Sequence, residues 1–284
     1  MAFDTNLIPN QLVADIKSGK TALFVGSGLS VEAGLPTWKG LLLELIEEVK
    51  KLPYDTTKIV EDYVKLINDP SKYLILAQDL KYNLLSGFPD IMERRFNDAT
   101  LRPAPIHISL LKIPFSYVIT TNYDRLLEKA YVRLTGEIPA TLTQSNSRDI
   151  AYKIWNKEFF ILKAHGDITV RKDELIMTES DYRDILFKNP GFQSALQVMF
   201  SSKSILFIGT SFTDPDFLLL MRYLHTAYHG GGPQHYILIN KDEILDVEAR
   251  HFMHEFKIHC IKYDPVNHRE QILQFADSLN TLIS

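Results

Sequence analysis

Five short runs of this chain are wholly apolar, at 22–25, 117–119, 159–162, 205–208 and 236–239, and a sixth at 258–261 is interrupted only by His259. None alternates with polar residues in the way that leaves one strand face in water. Runs apolar on both faces are expected of strands inside a parallel sheet covered by helices. Between and after them, apolar residues recur at helical spacing over 38–50, 123–134, 217–228 and 270–282. Strand and helix in alternation predict an α/β fold, a doubly wound Rossmann-like parallel sheet.

The pattern changes between 52 and 102. Tyr63, Leu66, Tyr73, Leu76 and Leu80 keep helical spacing there and no strand-like run intervenes. The spacing predicts an all-helical insertion between the first and second strands of a single domain spanning 1–284, serving as a lid or as a partner surface. Gly230-Gly231-Gly232-Pro233 predicts a turn before the next strand.

Composition narrows the possibilities. With 284 residues, 45% of them hydrophobic and 23% charged, the chain can bury a large core. A formal net charge of −4 argues against a generally basic surface for nucleic acid. Cys260 is the sole cysteine, so no internal disulfide can form and no zinc is expected. Residues 1–10 lack the basic start and apolar run of an export signal, and the apolar runs are far too short to span a bilayer. The expectation is a cytoplasmic protein away from membranes.

Candidate chemistry begins at Gly26-Ser27-Gly28-Leu29-Ser30, directly after the first strand. Glycines there permit a sharp turn and a close approach of backbone to a pyrophosphate, although Val31 stands where the ordinary dinucleotide fingerprint has its third glycine. The longer stretch through Gly34-Leu35-Pro36-Thr37-Trp38 resembles the opening motif of the sirtuins. Three more segments resemble that family in the same order, each after a predicted strand: Thr120-Thr121-Asn122-Tyr123-Asp124, Ala164-His165-Gly166 and Gly209-Thr210-Ser211. The set is most similar to the prokaryotic sirtuin-like NAD+-consuming domains of antiphage defence.

The resemblance implies that Asn122 and His165 are catalytic and that Gly26, Ser27, Gly28, Ser30, Trp38, Asp124, Gly209, Thr210 and Ser211 bind NAD+. On residue chemistry alone each has a plainer role. Asn122 is also a candidate N-cap for the helix at 123–134, and His165 a hydrogen-bonded loop histidine. Asp124 and Asp167 suit either the site or a structural role, Asp214 a helix cap, and Trp38 core packing. Two histidine-rich sets, His225 with His229 and His251, His254, Glu255 and His259 with Cys260, have spacings that permit metal ligands but no convincing geometry, so no metal site is expected.

As function, the resemblance implies an NAD+ hydrolase releasing nicotinamide and ADP-ribose, free or cyclised, that depletes NAD+ in antiphage defence. The alternatives are a protein-lysine deacylase, disfavoured because four zinc-binding cysteines are missing, and a module that binds NAD+ or ADP-ribose without turnover. Unregulated hydrolysis would kill the host. The resemblance therefore also implies control by assembly, as a homo-oligomer or beside a HerA-type ATPase or an Argonaute-like protein.

Overall fold

The computed structural model describes residues 3–171, 174–210, 221–223, 225–226 and 231–284. All six apolar runs become strands of one seven-stranded sheet in which every neighbouring pair is parallel. The strands are β1 (Thr21–Val25), β2 (Val118–Thr120), β3 (Thr141–Thr143), β4 (Ile161–Lys163), β5 (Ser204–Ile208), β6 (His235–Asn240) and β7 (Ile258–Tyr263). Their order across the sheet is β3-β4-β2-β1-β5-β6-β7. β3, absent from the expected strands, is a three-residue edge with only Leu142 buried.

β1 and β5 are buried at every position. Ala22 and Phe24 point into one core with Phe207 and Ile237, while Leu23 and Val25 point into the opposite one with Leu206 and Leu238. The first core is closed by α8 (Ser147–Asn156), α10 (Pro190–Ser202) and α11 (Asp246–Phe256). The second is closed by α1 (Asn10–Lys17), α6 (Pro105–Lys112), α7 (Leu126–Thr135) and α12 (His268–Ile283). Helices on both faces make the sheet doubly wound, as its pattern predicts. From β1 the chain first builds one half of the sheet and then crosses to β5 on the other side of β1. The connections diverge between these strands, and open parallel sheets bind ligands beyond such a switch point.

A third core lies apart from the two faces. It joins α2 (Trp38–Val49), α3 (Thr57–Leu66), α4 (Tyr73–Leu84) and α5 (Gly87–Phe96) to Tyr123 and Leu126, which follow β2, and to Ile168, Leu175 and Met177, which follow β4. The described residues of 52–102 contain no strand. A helical layer is thus packed onto the loops that leave the strand ends.

Two expectations need comment. The helix expected over 123–134 begins only at Leu126, whose N–H donates to Asp124 Oδ1 (2.9 Å). Asn122 is therefore not its N-cap. The helix expected over 217–228 lies largely outside the described residues, as do Ser211, Asp214, His229 and Gly230. Among the described residues no helix is long and apolar enough to cross a membrane.

Candidate active site

The loop after β1 meets the end of β5 backbone to backbone. Gly26 N–H donates to Ile208 O and Gly28 N–H to Gly209 O, each at 2.9 Å. A Cβ on Gly26 would stand 2.4 Å from Gly209 O, and one on Gly209 would stand 2.7 Å from Leu29 N. Gly209 also has φ +73, which a side chain would strain. Two of the glycine amides are thus engaged by the protein itself rather than turned toward a ligand. The glycines are needed first to close this seam.

Beside the seam, the loop after β2 carries Asn122. Its Nδ2 donates to Gly26 O (3.1 Å) and Ser30 Oγ (3.0 Å), and Ser30 Oγ in turn donates to Asp124 Oδ2 (2.8 Å). These contacts orient the amide, because Gly26 O can only accept. They leave Asn122 Oδ1 buried with no hydrogen-bond partner. Asp124 uses both carboxyl oxygens within the protein: Oδ1 holds the start of α7 and Oδ2 accepts from Ser30.

His165 follows β4 and is buried, with the Tyr182 hydroxyl of α9 (Glu179–Lys188) 2.9 Å from Nε2 and 3.2 Å from Nδ1. Burial pushes the imidazole down to about 3 against a weaker opposing pull from Asp181. It is therefore neutral near pH 7 and a weak base. Asp181 itself binds Lys81 of α4 (2.9 Å), so α9 ties His165 to the helical layer.

Lys163, which ends β4, is fully buried and reaches Glu128, Asp167 and the carbonyls of Tyr123 and Asp124. Burial pushes the Glu128 carboxyl up despite Lys163 nearby. For Asp167 burial acts the same way but is outweighed by Lys163 and by hydrogen bonds from Thr169, so its carboxyl stays below the usual range. The sequence reading passed over Lys163. A lysine closing the apolar run Phe159-Phe160-Ile161-Leu162 was the available signal.

Two spaces open here. An inner recess of about 40 Å³ is lined by Ser27, Ser30, Trp38, Asn122, Asp124 and His165, with Leu35, Phe96 and Tyr123 among its apolar walls. An outer cleft of about 400 Å³ runs past Ser27, Gly28, Gly209 and Thr210 to the ends of β6 and β7 and the start of α12. Trp38 and Ser27 border both. Every described residue expected at the site borders one space or the other, except Gly26, which supports the seam. Asn240, Glu243, Tyr263 and Arg269 also line the cleft and were missed; Asn240 and Tyr263 end β6 and β7, which was the clue, whereas Glu243 follows β6 and Arg269 lies in the first turn of α12. Among the described residues no three His, Cys, Asp or Glu side chains converge as metal ligands.

Comparison with known proteins adds the following. The family described as SIR2-like domain matches residues 116–261. A protein named NAD(+) hydrolase ThsA from Cytobacillus dafuensis is 27% identical over 277 residues, 98% of this chain and 51% of its own length. Another of that name from Bacillus cereus (strain MSX-D12) is 29% identical over 81% of this chain and 45% of its own length. Defense-associated sirtuin 2 from Bacillus subtilis is 22% identical over 79% of this chain and 21% of its own length. The chain spans about half the length of the first of these relatives.

Proposed function

The chain belongs to the SIR2-like family, and from that premise we infer that it binds NAD+ across the recess and cleft and hydrolyses its nicotinamide–ribose bond. One observation carries the reading: the unpartnered Asn122 Oδ1 shares a small recess with a neutral His165. Nicotinamide leaves C1′ as a neutral molecule while positive charge spreads over the sugar. Asn122 Oδ1 accepts a hydrogen bond from a ribose hydroxyl or the attacking water, orienting it without adding charge. His165 takes the proton that the water loses as its oxygen bonds C1′. The products are nicotinamide, ADP-ribose and one proton.

The dinucleotide backbone and adenosine lie in the outer cleft, where Ser27, Thr210, Asn240 and Glu243 offer polar groups. Thr210 Oγ1, buried without a partner, supports a ligand there. The recess has room for little more than a water or two, so a pyridine carboxamide enters only when Trp38 or Phe96 yields. The two NAD(+) hydrolases among the relatives support hydrolysis over deacylation, and the defence-associated sirtuin supports a role in antiphage defence. In this reading 1–284 is one sirtuin-like domain, cytoplasmic and free of zinc. It works as a homo-oligomer or with a separate regulatory subunit. Ile75 and Tyr82, exposed seven residues apart on α4, and nearby Leu85 give the helical layer an apolar surface for such contacts. Mass spectrometry of NAD+ incubated with the purified chain, with and without an acetylated peptide, tests the reaction. Nicotinamide with ADP-ribose is expected without peptide; release that requires the peptide would make the chain a deacylase.

A further inference from the structure

We propose that Lys163 is a positioning residue that holds the Asn122 loop in register with His165; the proposal rests on the reading that the chain cleaves NAD+. Lys163 lies two residues before His165 on the same strand end. Its Nζ donates to Tyr123 O at 2.9 Å and Asp124 O at 2.7 Å, the two carbonyls that follow Asn122. The carboxyls are more distant, Glu128 Oε1 at 3.5 Å and Asp167 Oδ2 at 3.4 Å. A buried cation present only to form ion pairs would sit nearer the carboxyls than the carbonyls. Here the order is reversed: the carbonyls take the donors, and the carboxyls offset the buried charge.

The Asn122 loop is consequently gripped on two sides. Gly26 O and Ser30 Oγ hold the Asn122 amide from the β1 side, and Lys163 holds the next two peptide units from the β4 side. The same residue that makes the second grip continues through one alanine into His165. Lys163, Glu128 and Asp167 do not line the recess, so they act through Asn122 rather than on the substrate. A displacement near 1 Å between reacting groups lowers turnover by about 10²-fold.

Lys163→Met alone strands two buried carboxyls and is expected to fold poorly. The test therefore compares Glu128→Gln, which keeps the grip and leaves Asp167 to offset the Lys163 charge, with the triple variant Lys163→Met/Glu128→Gln/Asp167→Asn, which removes the grip and all three charges together. The single variant is expected to keep kcat within about three-fold of wild type. The triple variant, folded by circular dichroism, is expected to lose about 10²-fold in kcat with KM for NAD+ within about three-fold. A folded triple variant with wild-type kcat, or one whose loss lies in KM alone, overturns the proposal. So does a hundred-fold loss in the folded single variant, which settles the matter even where the triple variant does not fold. Should the wild-type chain release no nicotinamide, the functional reading fails on its own account. The proposal is then read from the Asn122 side-chain amide by ¹⁵N NMR without ligand. That resonance is expected to shift or broaden in the triple variant and not in the single; identical spectra in all three proteins overturn it.

Discussion

The recess and the cleft are adjoining spaces that differ in size and in how their polar groups are held. The recess is small, and its polar groups are oriented by a chain of hydrogen bonds from Asn122 through Ser30 to Asp124. The cleft is about ten times larger and is walled mainly by apolar side chains, among them Leu29, Tyr73, Ile106 and Leu238, with polar groups of the strand-end loops and the first turn of α12 between them. Pre-oriented dipoles in a narrow space act strongly on developing charge, whereas a large, mainly apolar groove contributes binding area. Under the proposed function this contrast divides the labour, with the dinucleotide assigned to the cleft and the cleavage of one bond to the recess.

The widest effect is expected at the glycine seam that borders the cleft. Gly28→Val would drive a side chain into Gly209, whose carbonyl lies 2.9 Å from even a lone Cβ, and both NAD+ binding by calorimetry and nicotinamide release should vanish together. Retained binding would show that the cleft does not depend on this seam. Next come Asn122→Ala and His165→Ala, which should each lower kcat by about 10² or more while the dissociation constant moves only a few-fold. Equal losses in affinity and turnover would erase the distinction between the spaces. Trp38→Ala, at the boundary, should raise KM by about ten-fold with a smaller change in kcat. A change confined to kcat would place Trp38 wholly in the recess.

The smallest effect is one of pH on stability. Burial pushes His165 to about 3 and His235 to about 4, against an unfolded value near 6.5. As pH falls below about 6.5 the unfolded chain takes up protons that the folded chain refuses. Stability is thus full above that pH and declines toward pH 4, by at most about 1.4 kcal/mol per pH unit for each histidine. Urea midpoints at pH 7 and pH 5 for wild type and His165→Phe measure this. The variant should show the shallower decline, and equal declines would mean that His165 is not held neutral by its surroundings.

Most strands could be read from the chain because burial on both faces leaves an unbroken apolar run, as in Ile205-Leu206-Phe207-Ile208. β3 could not, since an edge strand of three residues needs only Leu142. The loop positions of Asn122 and His165 were legible through their motifs, but the local structure around Asn122 was not. Tyr123 and Asp124 resemble the start of a helix by local pattern. They stay out of it because Lys163, some 40 residues later, takes their carbonyls, and Ser30, more than 90 residues earlier, takes the Asp124 side chain. Such partners carry no local periodicity, so only the folded arrangement reveals them.

The seam formed by Gly26, Gly28 and Gly209 also governs how changes combine. Each glycine permits the same contact, so the first side chain introduced there already forces the β1 and β5 loops apart. A second finds the gap open and adds little. Double substitutions such as Gly26→Ala with Gly209→Ala should therefore cost much less than the sum of the two alone, a large positive epistasis between residues more than 180 positions apart in the chain. In the energetics of mutation the three glycines behave as one site.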